Sequence, residues 1–200
     1  GGERYNVVLE EVEAVVKTDL TKEFKSYAES NNLVYSVSLC DGLYKLILKG
    51  KAAHAMEPHK GINAGTHMCN FLKDYSNNQM VKYVANKHHL SHVCEKLGLD
   101  YEDYEMGPIT CNIGIMNILK DNTRVTLDLR YPVRYDTDNF NNKLNDLINN
   151  YKFEKDTDIF KIRKKAAPGY EVQLYSDEYK EISNRIVGMS VLDSPNSHNN

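Results

Sequence analysis

The sequence has no block of basic residues. Its 25 lysines and arginines face 28 aspartates and glutamates, for a formal net charge of -3. It therefore lacks the electrostatic footprint of a nucleic-acid binder. No apolar run approaches the roughly 20 residues needed to span a bilayer, and no signal peptide is expected ahead of the fold. The chain opens on Gly1-Gly2, which reads as the cut end of something longer. There is no C-x-x-C pair. Cys40, Cys69, Cys94 and Cys111 are far apart and each lies in an apolar context, as in "SVSLC" and "ITCNIGI". They are expected to be free, mostly buried thiols in a reducing compartment, so the expected location is cytoplasmic. What is present is ordinary for a soluble globular chain: 41% hydrophobic and 26% charged residues over 200 positions, enough for one domain or two small fused ones.

The hydrophobic periodicity alternates between strand and helix. In "VVLEEVEAVVK", Val12, Ala14 and Val16 share one strand face. A helix follows in "TDLTKEFKSYAESNN", with Asp19 as its cap and Leu20, Phe24, Tyr27 and Ala28 as its apolar stripe. "YSVSLCDGLYKLILKG" reads as a β-hairpin, because Asp41-Gly42 suits a two-residue turn in which both residues need positive φ. Ala64, Met68, Phe71, Leu72 and Tyr75 then fall at helical spacing. Further on, "RVTLDLRYPV" alternates strictly. Val125, Leu127, Leu129 and Tyr131 face one way, and Thr126, Asp128 and Arg130 face the other, polar, way. The helix "DTDNFNNKLNDLINNY" carries Phe140, Leu144, Leu147, Ile148 and Tyr151, and "FKIRKKAAPGYEV" supplies another strand. Between the two units, "SNNQMVKYVANKHHLSHVCEKLGLDYEDYEMGP" reads as a helical linker ending in an acidic, tyrosine-rich loop. The closing "VLDSPNSHNN" reads as a frayed polar tail. The fold class is α+β, with antiparallel sheets, helices packed on one face and a weak internal repeat.

Few residues stand out for chemistry. His88 and His92 in "KHHLSH" have the i, i+4 spacing of a helical metal pair, but no acidic residue lies between them and no third ligand is at standard spacing. A solvated helix face is the expectation. "LDYEDYE" reads as a solvated loop, His67 as structural and His59 as a loop histidine. Arg130 admits two readings, a surface arginine paired with a carboxylate or a fork for a substrate carboxylate. His54, a lone histidine among alanines at a strand end, and Asn6, near another strand end, stay open in the same way.

Three motifs occur in order. "GKAAHAMEPHKGINA" resembles the G-x-x-A-H-x-x-x-P-x-x-G-x-N-A signature of a zinc metallopeptidase superfamily. That superfamily includes carnosinase, the aminoacylases, glutamate carboxypeptidases, succinyl-diaminopimelate desuccinylase and PepV-type dipeptidases. "GGERYNVV" resembles the G-G-x-R-x-N-x-V opening of the PepV-type lid domain, and "NIGIMNILKDNTRVTLDLRYPV" resembles its N-x-G... L-R-Y-P segment. The resemblance runs over roughly residues 1 to 172.

The resemblance implies a doubled ferredoxin-like lid. Its first subdomain would span 1–80 (βαββα), a helical linker region 81–107 and a second subdomain 108–175 (ββαβ), with 176–200 an unassigned tail. It implies a parent enzyme whose separate catalytic domain holds two zinc ions, with none in this chain. The partners would be that catalytic domain and a dipeptide or short peptide, with neither nucleic acid nor membrane. By position, His54 matches the lid histidine that donates to the scissile carbonyl oxygen. Asn6 matches the asparagine that contacts substrate near that bond, and Arg130 the arginine that binds the substrate's C-terminal carboxylate. The small residues Ala52, Ala53 and Ala55 would let the strand end approach substrate closely. Two departures stand out: Leu9 where the family has proline, and no G-G-T-x-A element beyond Val172. The family's zinc ligands are missing, so the isolated chain is expected to be inactive. The alternative is a stand-alone ferredoxin-like module that binds a ligand or a protein. An RNA-binding sheet is disfavoured by charge and by the lack of an aromatic-rich strand motif.

Overall fold

The computed structural model describes residues 2, 6–119 and 123–151, and the backbone of four later segments, 154–155, 160–164, 172–176 and 188–193. The first unit runs β1 (Glu11–Val16), α1 (Thr21–Ser30), β2 (Val34–Cys40) and β3 (Leu43–Lys49). Its three-stranded antiparallel sheet has the order β1-β3-β2. The β2–β3 turn has the expected geometry, with Asp41 at φ 52° and Gly42 at φ 76°, the double left-handed conformation of a tight hairpin. Asp19 accepts from the Thr21 amide at 3.0 Å and closes the first turn of α1. Leu20, Phe24 and Ala28 are buried as their spacing predicts.

Two helices follow, α2 (Ala64–Leu72) and α3 (Gln79–Lys87). α2 packs on β1, β3 and α3. It ends before Tyr75, whose half-exposed ring extends the stripe only loosely. α3, read in the sequence as part of a linker, places Met80, Val81, Tyr83 and Val84 in the same hydrophobic cluster as Phe24 and Leu127. No helix among the described residues is long and apolar enough to cross a membrane.

The second unit begins with a short hairpin, β4 (Glu102–Asp103) and β5 (Gly107–Pro108). Then come β6 (Thr110–Ile118), β7 (Thr123–Tyr131), α4 (Thr137–Asn150), β8 (Glu154–Lys155), β9 (Phe160–Lys164), β10 (Val172–Ser176) and β11 (Gly188–Asp193). β7 is the centre of this sheet. It pairs antiparallel with β6 on one edge and with β11 and β10 on the other. Phe140 and Leu144 of α4 are buried; the side chain of Ile148 lies outside the described residues. The architecture is α+β with antiparallel sheets, as expected.

Two sequence readings change here. β11 lies within the stretch read as an unassigned tail: Val191, Leu192 and Asp193 of "VLDSPNSHNN" pair with β7, while 194–200 lie outside the described residues. The polar face of β7 is not a surface. Thr126, Asp128 and Arg130 are as buried as Val125, Leu127 and Leu129. A strand with two buried faces normally reads as a continuous apolar run. β7 keeps an alternating pattern because its two buried charges neutralise each other within the strand.

Candidate functional site

The site grows from the loop that joins β3 to α2. Beyond β3 the chain runs back beside residues 6–8. The Val8 amide donates to the Ala53 carbonyl at 2.9 Å, and the Ala55 amide donates to the Asn6 carbonyl at 3.0 Å. Val7 and His54 form an antiparallel bridge, so Asn6 and His54 lie on adjacent backbones. After His54, Pro58–Lys60 makes one turn of 3-10 helix, and Lys51 and Ile62 close the loop by exchanging both amide hydrogen bonds at 2.9 Å.

This closure requires the motif's glycines. A Cβ on Gly50 would lie 2.0 Å from the Ile62 carbonyl oxygen, and one on Gly61 would lie 2.7 Å from that of Lys51. Ala55 is fully buried and Ala53 half-buried. Small side chains are thus needed for the loop's own packing, whereas the sequence reading assigned them to substrate approach; Ala52 alone is exposed. Asn63 is structural too. Its side-chain oxygen accepts from the Thr66 amide at 3.1 Å and caps α2, and its Nδ2 donates to the Ile113 carbonyl at 2.8 Å, tying α2 to β6.

His54 is exposed at the end of this rigid framework. Its Nδ1 accepts from the Met56 amide at 3.0 Å, so in the neutral ring the proton belongs on Nε2. Partial burial and the positive charge of Arg130 hold the imidazole below its ordinary pKa, against a smaller upward pull from Glu57. At neutral pH His54 therefore carries an outward Nε2–H donor and no charge. Glu57 is tied to Lys60 at 2.7 Å, and His59 is exposed in the 3-10 turn.

Arg130 lies close enough for its charge to be felt at His54, but it is not a surface arginine. It is 2% exposed and its guanidinium grips Asp128 in a two-point contact, Nε to Oδ1 and Nη2 to Oδ2, each 3.2 Å. Burial raises the Asp128 carboxyl to about 6, with Arg130 pulling it back down. The i, i+2 spacing of β7 places both side chains on one face, and their opposite charges make burial tolerable only as a pair. Across the ladder, Thr110 stands opposite Arg130 and Asn112 opposite Asp128. Asn112 Nδ2 donates to the Val7 carbonyl at 3.1 Å. A continuous path of contacts thus joins His54, Val7, Asn112, Asp128 and Arg130. The sequence reading missed Asn112 and Asp128, although polar residues inside the apolar strands "TCNIGI" and "TLDLRY" were the available signal.

The histidines after α3 are not a solvated helix face. α3 ends at Lys87, and His88 and His89 are buried. His88 Nε2 pairs with the Tyr83 hydroxyl at 2.8 Å, and His89 Nδ1 with the Thr66 hydroxyl at 3.1 Å. His67, structural as expected, packs its ring 4.5 Å from that of His89, and its Nδ1 pairs with the Tyr27 hydroxyl at 2.9 Å. Among the described residues no group of three or more His, Cys, Asp or Glu is placed to hold a metal ion. The acidic loop is likewise more than a solvated face. Asp103 is buried, takes two 2.8 Å contacts from Arg134 Nη1, and accepts from the Glu105 and Met106 amides. Of the cysteines, Cys69, Cys94 and Cys111 are buried, Cys40 is exposed, and all four are free.

The buried histidines make stability depend on pH. Burial, aided by the neighbouring His67 and lysines, pushes His89 down to about 3, and burial lowers His67 as well. Below about pH 6.5 the unfolded chain protonates His89 while the folded chain does not. The contribution of His89 is therefore complete above pH 6.5 and is lost as pH falls towards 3, at about 1.4 kcal/mol per pH unit; His67 acts in the same direction. Asp128, raised in the fold, acts in the opposite sense between about pH 4 and 6, so the comparison should be internal. Urea denaturation at pH 7, 6 and 5 should show wild type losing more stability on acidification than His89→Gln. Parallel losses would contradict the account of His89.

A family model described as peptidase dimerisation domain matches residues 43–156. A "putative dipeptidase" of Staphylococcus epidermidis is 32% identical over 168 residues, covering 77% of this chain and 36% of the relative. Proteins of the same description from Staphylococcus haemolyticus and Staphylococcus aureus USA300 are 31% identical over 163 residues, covering 76% of this chain and 35% of each relative. The chain thus spans about a third of the length of the curated relatives it matches.

Proposed function

The chain belongs to the peptidase dimerisation domain family, and from that premise we propose that it is the lid of a dinuclear zinc dipeptidase that closes over short peptides. The observation that carries this reading is His54: a neutral donor on the loop after β3 rather than at the strand end expected from sequence, bridged to Val7, with Nδ1 held by its own loop and the ring within reach of the charge on Arg130. In this role Nε2–H donates to the scissile carbonyl oxygen. That bond strengthens as the oxygen gains negative charge, which is how a donor lowers a barrier rather than merely binding substrate. In this proposal Arg130 supplies the positive charge that draws the substrate's C-terminal carboxylate, from a buried position in which Asp128 already holds its Nε and Nη2, and Asn6, beside His54, contacts the peptide near the scissile bond. A positive charge held for a free carboxylate would favour short peptides with a free C-terminus.

The described residues do not suit the zinc ions themselves, since no ligand cluster exists among them. The proposal places both ions in the separate catalytic domain of a cytoplasmic enzyme, so the lid alone is inactive. The lid's own contribution is to bind, orient and exclude water on closure.

Arg130→Lys in the full-length enzyme tests the reading. Lysine keeps the charge and loses the planar fork. kcat/KM should fall more for dipeptides with a free C-terminus than for the same dipeptides amidated. Equal loss on both would make Arg130 purely structural.

A further inference from the structure

The loop that presents His54 is fastened to β6 on both sides, each time by a side-chain amide and a backbone carbonyl. On one side Asn63, at the start of α2, donates from Nδ2 to the Ile113 carbonyl at 2.8 Å. On the other, Asn112 Nδ2 donates to the Val7 carbonyl at 3.1 Å. Val7 is the residue bridged to His54, and the residues flanking Val7 bond the residues flanking His54, Val8 to Ala53 and Asn6 to Ala55. Residues 6–8 are therefore the lateral support of His54, and Asn112 ties that support to β6. Asn112 is buried and lies 105 positions from Val7, so its bond spans the first and second units. In the β6–β7 ladder it stands opposite Asp128, the partner of Arg130. A buried amide aimed at a main-chain carbonyl fixes both distance and direction, whereas an apolar side chain fills the space and fixes neither.

We propose that Asn112 is a positioning residue for His54: through the Val7 carbonyl it sets where the His54 Nε2–H stands relative to the strands that carry Asp128 and Arg130. The proposal rests on the reading of His54 above as the donor to the scissile carbonyl. Such a donor works only within a narrow range of distance from the developing oxyanion, and a misplacement of about 1 Å can cost about 100-fold. Asn63 shares the task but also caps α2, so its removal would mix helix stability with loop position. Asn112 lies within β6, where leucine has the same branching and keeps the strand filled while losing the donor.

The test is a double-mutant cycle in the full-length enzyme, on a dipeptide substrate, with Asn112→Leu, His54→Ala and both together. Asn112→Leu alone should lower kcat by about 10- to 100-fold, with KM changed by less than about threefold. In the His54→Ala background the same substitution should cost less than about threefold in kcat, because no donor is left to misplace. If thermal melts show that Asn112→Leu does not fold, Asn112→Ser, whose side chain is one bond shorter, should give the same pattern. A loss of the same factor in both backgrounds makes Asn112 purely structural and overturns the positioning role. A near-normal kcat in the folded single variant overturns it too, and both results leave the reading of His54 standing. If His54→Ala by itself leaves kcat near wild type, the reading of His54 falls, and the positioning role falls with it.

Discussion

His54→Ala in the full-length enzyme is expected to lower kcat by about 100- to 1000-fold, the usual cost of removing one oxyanion donor, with fold and metal content unchanged. Among the described residues the ring's one hydrogen bond is the one it accepts from the Met56 amide, and the residue is exposed. Its removal therefore leaves the Val7–His54 bridge and the Lys51–Ile62 closure in place. His59→Ala should cost far less. His59 follows Pro58 in the 3-10 turn, where no backbone ladder fixes its direction. Steady-state kinetics on both variants, with thermal melts as the control for folding, separate the two histidines. A near-normal kcat in His54→Ala with a collapse in His59→Ala would reverse the assignment.

Asp128→Ala is expected to be the most destabilising single change in the described core, by about 3–5 kcal/mol, because it leaves the Arg130 guanidinium buried without its carboxylate. Both members of the pair are nearly inaccessible, with side-chain exposures of 3% for Arg130 and 0% for Asp128. Replacing both together, as Asp128→Leu with Arg130→Met, should recover most of the loss, since apolar side chains of similar volume often replace a buried ion pair at little net cost. That double variant would also be unable to recognise a carboxylate. Stability and function at this position are therefore separable by urea denaturation and kinetics on the same proteins. A loss below about 1 kcal/mol for Asp128→Ala, the range of exposed pairs, would show that the pair is solvated in solution.

Much of this was legible from local pattern. The Asp41-Gly42 turn, the stripes of α1 and α4 and the alternation of β1 and β7 follow from short-range rules, and the glycines of the His54 loop mark real close approaches of backbone. The misreadings share a cause. Whether a polar residue faces water depends on what packs over it, and that is decided by segments distant in sequence. Asp128 and Arg130 looked like a solvent face because alternation usually means one. His89 looked like part of a surface run because its partner Thr66 lies on α2, 23 positions away, and meets it only once α2 and α3 are packed together; the partner of His88, Tyr83, lies five positions earlier on α3 and was overlooked. β11 was missed because "GMSVLD" is short and only half apolar, and what makes it a strand is the unfilled edge of β7. The motif singled out Asn6, His54 and Arg130, which the backbone brings near one another. It did not reveal that Asn112 and Asp128 connect them.

In the proposed mechanism His54 acts on the reacting carbonyl rather than on bound substrate in general. The most direct measurement compares two ligands of the full-length enzyme: a phosphinic dipeptide, whose tetrahedral anion imitates the transition state, and an unreactive ground-state dipeptide analogue. Going from wild type to His54→Ala, affinity for the phosphinic compound should fall about 100- to 1000-fold, while affinity for the ground-state analogue changes little. Equal losses for both ligands, or none for either, would contradict the account.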